Sequence, residues 1–532
     1  MKTKSLLFIL LGSFLASTTF PQNKFTPASP VQERVIRVDF NNPKGNLNTM
    51  FKECVGAGRA NEGLRADWQQ QLAYIRKTCG FKYIRMHGLL TDDMGVYKED
   101  KEGNPEYNFQ YIDVLYDYLL SIGMKPFVEL GLMPSALASG EKTIFWWKGN
   151  VTPPNDYNKW GELVKNLVLH FTQRYGADEV KTWYFEVWNE PNLKNFWEGT
   201  REEYFKLYEY TAKAVKSVNP QYLVGGPATS HVQWVPEMIS FCTANNLPLD
   251  FISTHSYGIK KGYLDEKGNR CTILNADPMS VSGDILNVRK QIKNSPMPDL
   301  DLHITEWSSS YTPSDPVHDS YHQAAYVLEK IKQVGGAANS MSYWTFTDIF
   351  EEVGPRFTPF HGGFGLLNYQ SIKKPAFYSY QYLNKLGSSE LINDDPRSWA
   401  CKNENGDIQV LFWDFTNTHP GDSVSDQEYY VRNLPSKSKG EVTVSLSNIP
   451  EGCYALEISK VGYHVNDPFT SYLEMSKPKQ LTKPQAETIR KFNDSAPVYT
   501  EIIKVDAEGT FTKVLDLREN DVFLLCLVNC SD

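Results

Sequence analysis

Two apolar runs in this chain end on a glutamate. WYFEVWNEPNLKNFW, Trp183 to Trp197, carries Asn189-Glu190-Pro191 where an aromatic strand gives way to polar sequence, and DLHITEW (301–307) delivers Glu306 in the same way. Two carboxyl groups at the mouth of one fold can work on a single bond. One protonates a leaving oxygen while the other attacks or activates water, which is the pairing that glycoside cleavage needs. Alternation along the first run places Glu186, Trp188 and Glu190 on one face, so alternation does not choose between the glutamates. Depth does. Glu186 lies inside the strand, where pairing with a barrel cation such as Arg85 is expected. Glu190 stands at the mouth beside the Asn189 amide, which can hold a sugar hydroxyl, and Glu198 reads as a solvated loop residue. On residue types alone, the Glu190/Glu306 pair is equally compatible with two ordinary ion-paired strand-end glutamates.

Other chemistries have weaker support. GAGRANEG (56–63) lacks the spacing of a dinucleotide-binding turn, and HDSYH sets His318 and His322 four apart without the glutamate of a zinc-protease helix. There is no G-x-S-x-G elbow. No metal or cofactor is expected.

The elements that must position the pair form a regular series. Short apolar runs alternate with helix-like segments from about Phe51 to Leu386: ECVGAGR, FKYIRMHG, KPFVELG, WYFEVWNEP, YLVGGP, DFISTHSY, DLHITEW and SMSYWTF. This alternation implies an α/β fold, a (β/α)8 TIM barrel spanning 46–386. In such barrels the working residues stand at the carboxyl ends of strands. Here those ends carry Arg85, His87, Glu129, Asn189, Glu190, His255, Tyr257, Glu306 and Trp344, collared by long aromatic loops at 88–108, 131–156 and 347–366. After Leu386 the pattern becomes short strands divided by Gly, Pro and Asn, which implies an accessory all-β sandwich over 387–532. RVIRVDF (34–40), in an N-terminal segment spanning 23–45, is placed to add a strand to it.

The N-terminus has Lys2 and Lys4 ahead of an apolar run to about Leu15 and then small residues, the layout of a cleaved signal peptide over 1–22. An exported protein, periplasmic or extracellular, is expected, with no membrane insertion. A formal charge of -9 without basic runs gives no footing for nucleic acid. Aromatic residues make up 13% of the chain, a composition suited to stacking on sugar faces, although ordinary core packing accounts for most of them. Eight scattered cysteines are far too few for a disulfide framework, and Cys526 with Cys530 is the pair best spaced to be inspected for one.

The chain resembles glycoside hydrolase family 39 of clan A, and within it the bacterial β-xylosidases. The likeness is carried by CVGAGR, YIRMHGLLTDDMGVYKE, GLMPSALASG, WWKGNVTPPNDYNKW, the Asn-Glu-Pro run, HITEWSSSY and YWTFTDIFEEVGPRFTPFHGGFGLL. That resemblance implies Glu190 as acid/base and Glu306 as nucleophile of a retaining, exo-acting enzyme that takes β-linked xylose from an oligosaccharide. It implies His87 in the pocket for the non-reducing sugar and Asn189 against its 2-hydroxyl. His255, Tyr257, Tyr311, Trp344, Glu352, Phe364 and Phe145 match other positions around that pocket, with Arg85 as the supporting cation. The peptide at Trp344-Thr345 is expected to be cis, as in clan relatives. HSYG, TEWSSSY and Met86 depart from the usual family residues beside functional positions, which leaves open the same machinery on another sugar: a β-glucosidase, an arabinose-releasing enzyme or an iduronidase. A non-catalytic sugar-binding barrel is the other alternative, disfavoured because both glutamates are retained. The sandwich is expected to brace the barrel, and a homo-oligomer is compatible with the sequence.

Overall fold

The computed structural model describes residues 33–264, 266, 268, 270–417, 427–433 and 435–530. The expected signal peptide lies outside them. Eight parallel strands close into a barrel in chain order: Cys54–Arg59, Tyr83–His87, Lys125–Leu130, Tyr184–Val187, Leu223–Thr229, Phe251–Tyr257, Asp301–Ser308 and Ser340–Tyr343. A helix follows each strand on the outside. The first, Ala66–Cys79, buries Trp68, Leu72, Ile75 and Cys79 along one stripe, and Gly80 ends it in the left-handed region with φ 78°. The helix after the fourth barrel strand, Arg201–Val218, starts on a reciprocal Thr200/Glu203 cap. Among the described residues no helix is long and apolar enough to cross a membrane.

Strand register slips at Gly56/Arg59, Pro227/Thr229, Thr254/His255 and Ile304/Trp307, all toward the carboxyl ends. Such irregularities re-aim side chains, and here they turn His255 and Glu306 opposite one another.

The second region is a sandwich of a three-stranded and a seven-stranded sheet. Arg34–Asp39 joins the smaller sheet, but parallel to Ser438–Ser447, with Ile36 opposite Val444, so the sandwich is not wholly antiparallel. Along Ile408–Trp413 the side chains alternate between two cores. Ile408, Val410 and Phe412 face the opposite sheet, while Leu411 and Trp413 pack toward the barrel. Nor is the region all β. Helices Pro468–Glu474 and Lys483–Phe492 interrupt it, because their apolar side chains (Phe469, Tyr472, Ala486, Ile489) cover Phe360 and Ile372 of the barrel loops.

All eight cysteines are free, four of them buried. Cys526 faces Glu457 across its strand pair, and Cys530 lies four residues further on, about 13 Å away at strand rise, too far for a disulfide. The neighbour of Cys530 is Cys453, whose carbonyl accepts its N–H at 3.0 Å.

The loop at 347–366 is held by a buried triad. Lys374, with no exposed side-chain surface, meets Asp319 at 2.6 Å and Asp348 at 3.3 Å, and donates to the Gly363 carbonyl at 2.5 Å. The same carboxylates accept the Gly362 and Gly365 amides, so one cation fixes the backbone on both sides of Phe364. Removing one member of a buried ion network leaves charges without compensation. Lys374→Ala is expected to lower stability by about 3–5 kcal/mol, read from the denaturant midpoint; an unchanged midpoint would show that the triad does not hold the loop.

Candidate active site

Arg85 projects from the second barrel strand into a layer of carboxylates. Its Nε bonds Glu186, Nη2 lies 2.9 Å from Glu129 and from the Asn189 carbonyl oxygen, and Nη1 donates to Glu306 Oε1 at 2.9 Å. Burial opposes its charge, but Glu186, Glu129 and Glu306 outweigh that and raise its pKa further. Because Arg85 occupies the carbonyl side of the Asn189 amide, the NH2 is left as a donor for a ligand. Glu306 also accepts the Tyr257 hydroxyl at 2.7 Å. Burial and the Glu306 charge push the Tyr257 phenol well up, so it stays a donor.

His87 stands beside this hub. Its Nδ1 is 2.7 Å from Glu129, and its Nε2 lies 3.5 Å from Glu306 and 3.7 Å from Glu352. Burial works against its protonation, yet Glu129 and Glu306 carry its pKa up to about 9. Glu352 goes the other way. Burial, aided by the charges of Glu306 and Glu190, raises it to about 8 despite His87. At neutral pH the site therefore pairs an imidazolium with a neutral carboxylic acid that can donate to a hydroxyl.

Glu190 departs from the expected geometry. The strand ends at Val187, and Trp188 adopts φ 70°, turning its indole outward against Trp160 and Trp197 instead of sharing a face with Glu186 and Glu190. A second positive φ, 44° at Glu190 itself, brings the carboxyl back over the barrel mouth. Left-handed backbone at non-glycine residues is costly and clusters at working sites. Burial raises Glu190 to about 7, while His87, His231 and Ser230 pull it back.

The partner of Glu190 is His255, whose Nδ1 lies 3.0 Å from Oε1. Burial lowers His255 to about 4, so the ring is neutral and carries one proton. Thr305 donates its only hydroxyl proton to Glu186 at 2.8 Å, and therefore accepts from His255 Nε2 at 3.1 Å. The network thus fixes the tautomer: Nδ1 is a bare acceptor, and its bond to Glu190 forms when Glu190 is protonated.

Glu190, His255 and Glu306 each offer an atom within 4.8 Å of the others. A cation would fit among such ligands, but Arg85 already supplies fixed positive charge to Glu306. His318 and His322 do not form a metal pair: His318 faces the carbonyls of Gly362 and Ser310, and His322 lies among Tyr321, Tyr429 and Tyr430.

Of the residues singled out from sequence, His87, Phe145, Asn189, Glu190, Tyr257, Glu306, Tyr311, Trp344, Glu352 and Phe364 line one cavity of about 720 Å³. Arg85 and His255 are buried just behind its wall. Trp344-Thr345 is cis, and so is Gly131-Leu132, which was not expected. Two contributors went unread. Ser230 and His231 line the cavity from a loop with three positive-φ residues. The segment after the sixth strand, where Lys260 and Lys261 suggest a solvated loop, is a hairpin of Ile259–Leu264 and Arg270–Leu274 that walls the outer cavity with Gly262, Tyr263 and Arg270. A glycine, Gly268, between two apolar-alternating stretches was its only signal in the sequence.

Comparison with known proteins agrees with this geometry. The family model for glycosyl hydrolases family 39 matches residues 34–511. The β-xylosidase of Geobacillus stearothermophilus is 44% identical over 387 residues, 71% of this chain and 76% of that protein. The β-xylosidase of Caldicellulosiruptor saccharolyticus is 39% identical over 467 residues, 86% and 91% of the two chains. Among solved structures, a family 39 enzyme from Xanthomonas axonopodis pv. citri superposes with TM-score 0.91 at 42% identity, covering 96% of this chain and 99% of that one. A monomeric β-xylosidase from Caulobacter crescentus CB15 does so at 0.90 and 40%, covering 94% and 100%. With a matching family model over nearly all its length and two such relatives, the chain belongs to glycosyl hydrolase family 39.

Proposed function

We propose that this glycosyl hydrolase is an exo-acting β-xylosidase that retains anomeric configuration, freeing xylose from the non-reducing end of xylo-oligosaccharides outside the cytoplasm. The observation that carries the chemistry is the approach of Glu190 and Glu306 oxygens to within 4.8 Å. Retaining pairs lie roughly 5–5.5 Å apart, and inverting pairs roughly 6.5–9.5 Å apart to admit a water. Glu306, hydrogen-bonded by Arg85 and Tyr257, attacks the anomeric carbon as a carboxylate. Glu190 gives its proton to the leaving oxygen, then takes one from the incoming water. The Asn189 NH2 donates to the sugar's 2-hydroxyl, a contact that strengthens as the oxocarbenium ion develops.

Exo action is supported by the rim. The loops at 131–156 and 347–366 are joined by a backbone bond from Trp146 N–H to the Glu352 carbonyl, 2.8 Å. It ties together the two loops that bring Phe145, Glu352 and Phe364 to the cavity wall, an arrangement suited to a pocket more than to an open cleft. Xylose as the glycone is supported by the β-xylosidase relatives. Export is supported by the basic and apolar N-terminal segment.

Proton NMR of the enzyme acting on an aryl β-D-xyloside tests the whole reading: β-xylose is expected first, with α-xylose appearing only by mutarotation. Initial α-xylose would overturn retention, and no release would overturn the sugar. Glu306→Ala is expected to lose activity on all glycosides by several orders of magnitude. Glu190→Ala should retain cleavage of aryl glycosides with good leaving groups and be accelerated by azide; equal losses on good and poor leaving groups would remove Glu190 from the acid role.

The pH profile follows from the raised Glu190. The acid works protonated, so kcat/KM is expected to fall as pH rises through about 7. The His255 bond favours the neutral form of Glu190, and losing it lowers that pKa. His255→Phe should therefore move the basic limb to lower pH, and a limb that stays or moves up would contradict the assigned tautomer.

A further inference from the structure

The hairpin that walls the outer cavity is a two-stranded ribbon, paired with no other sheet. Ribbons of this kind are marginal by themselves and take their position from what they are tied to. At its base, Gly258 N–H bonds the Ser308 carbonyl at 3.1 Å and Asn275 N–H bonds the Gly258 carbonyl at 2.8 Å. A buried polar anchor lies higher up, beside the apolar contact of Leu274 with Val317 and Tyr430. Thr272, 1% exposed and in the second hairpin strand, donates its hydroxyl to Asp315 Oδ2 at 2.5 Å. Ser310, just past the nucleophile strand, donates to the same oxygen, and Asp315 is itself 3% exposed.

The anchor reaches two further groups. Ser310 Oγ accepts the Thr312 amide at 3.1 Å, which fixes the turn that carries Tyr311. The Tyr311 ring lies so close to Gly262 of the first hairpin strand that a Cβ there would collide with its hydroxyl. Gln427 of the sandwich region approaches Thr272 Oγ1 at 3.4 Å and accepts the Val317 amide at 3.2 Å. A buried carboxylate thus joins the ribbon to the strand that bears Glu306, and the second domain backs the joint.

We infer that Asp315, through Thr272 and Ser310, is a positioning residue that sets the hairpin over the outer cavity and so governs binding of the sugar beyond the scissile bond. The inference rests on the exo-xylosidase reading, in which the first xylose occupies the floor between Glu306, His87 and Trp344. The next unit then lies toward Tyr263, Tyr311 and Arg270. Asp315 touches no substrate; it acts on where those residues stand.

Substrates with and without a second sugar separate the effects. β-D-Xylosyl fluoride needs only the floor and the catalytic pair, whereas xylotriose also uses the outer wall. Thr272→Val removes one hydroxyl bond to a buried carboxylate. It is expected to raise KM for xylotriose about tenfold with kcat little changed, to leave xylosyl fluoride kinetics within about twofold, and to be rescued by Thr272→Ser. Gln427→Ala, which spares the hairpin's own packing, should give a smaller split in the same direction and serves if the valine variant does not fold. Equal losses on both substrates would mean that Thr272 acts through general stability, and no change on either would mean that the anchor is idle; both overturn the assignment. Wild-type enzyme inactive on both substrates would instead fail the xylosidase reading itself, before any variant is compared.

Discussion

The guanidinium of Arg85 is the charge on which the catalytic end of the barrel depends. It is wholly buried, and it is met by carboxylates from three other strands: Glu129, Glu186 and Glu306. Dehydrating such a cation costs several kcal/mol, recovered only where the partners are close and well directed. Those three carboxylates, brought together without it, would repel one another strongly. Arg85 thereby divides the glutamates into those it meets directly and those beyond its hydrogen-bonding reach. Glu306 receives its Nη1; Glu190 and Glu352 do not, and burial holds them near or above neutrality. Two glutamates a few ångströms apart thus stand in different surroundings, Glu306 against a fixed cation and Glu190 in a buried site without one. The proposed division of roles relies on that contrast.

Much of this was legible in the sequence where local pattern and tertiary outcome agree. Eight apolar runs at strand spacing, each leading to an amphipathic helix, translate directly into the closed barrel, and a glutamate at the end of a barrel strand has few places to point. Arg85 as the partner of Glu186 follows from depth alone. What the pattern concealed depends on backbone angles and on long-range burial. Period-two alternation put Trp188 and Glu190 on one face, but two left-handed residues break that alternation where it matters. His255 looked like a wall residue, yet a register slip sets it behind Glu190. The helices at 468–492 are stabilised by Phe360 and Ile372, more than 90 residues away, so nothing local in a β-rich region announced them.

The sandwich is more than an appendage to the barrel. The central strand of its seven-stranded sheet, Ile408–Trp413, has both faces buried, one against its sister sheet and one against barrel helices, where Trp413 donates to Glu329 at 2.8 Å. Its inserted helices cover the loop that carries Phe364, and Gln427 reaches the hairpin joint. Two walls of the cavity are therefore shaped partly by chain that follows the last barrel helix. The family match likewise runs to residue 511, past that helix.

The bond from Trp146 to the Glu352 carbonyl has a bearing on the order of events. The exo reading makes the cavity a pocket closed at its far end, with a single doorway for entry and departure. With the exo reading, the severed oligosaccharide lies in that doorway and the cleaved xylose behind it. The shortened chain must leave before water can resolve the covalent sugar and before the monosaccharide can escape. In that reading a chain does not slide between cuts, and each turnover begins with a fresh encounter. Such an enzyme works at a rate set by the number of chain ends in solution, not by the length of the chains that carry them.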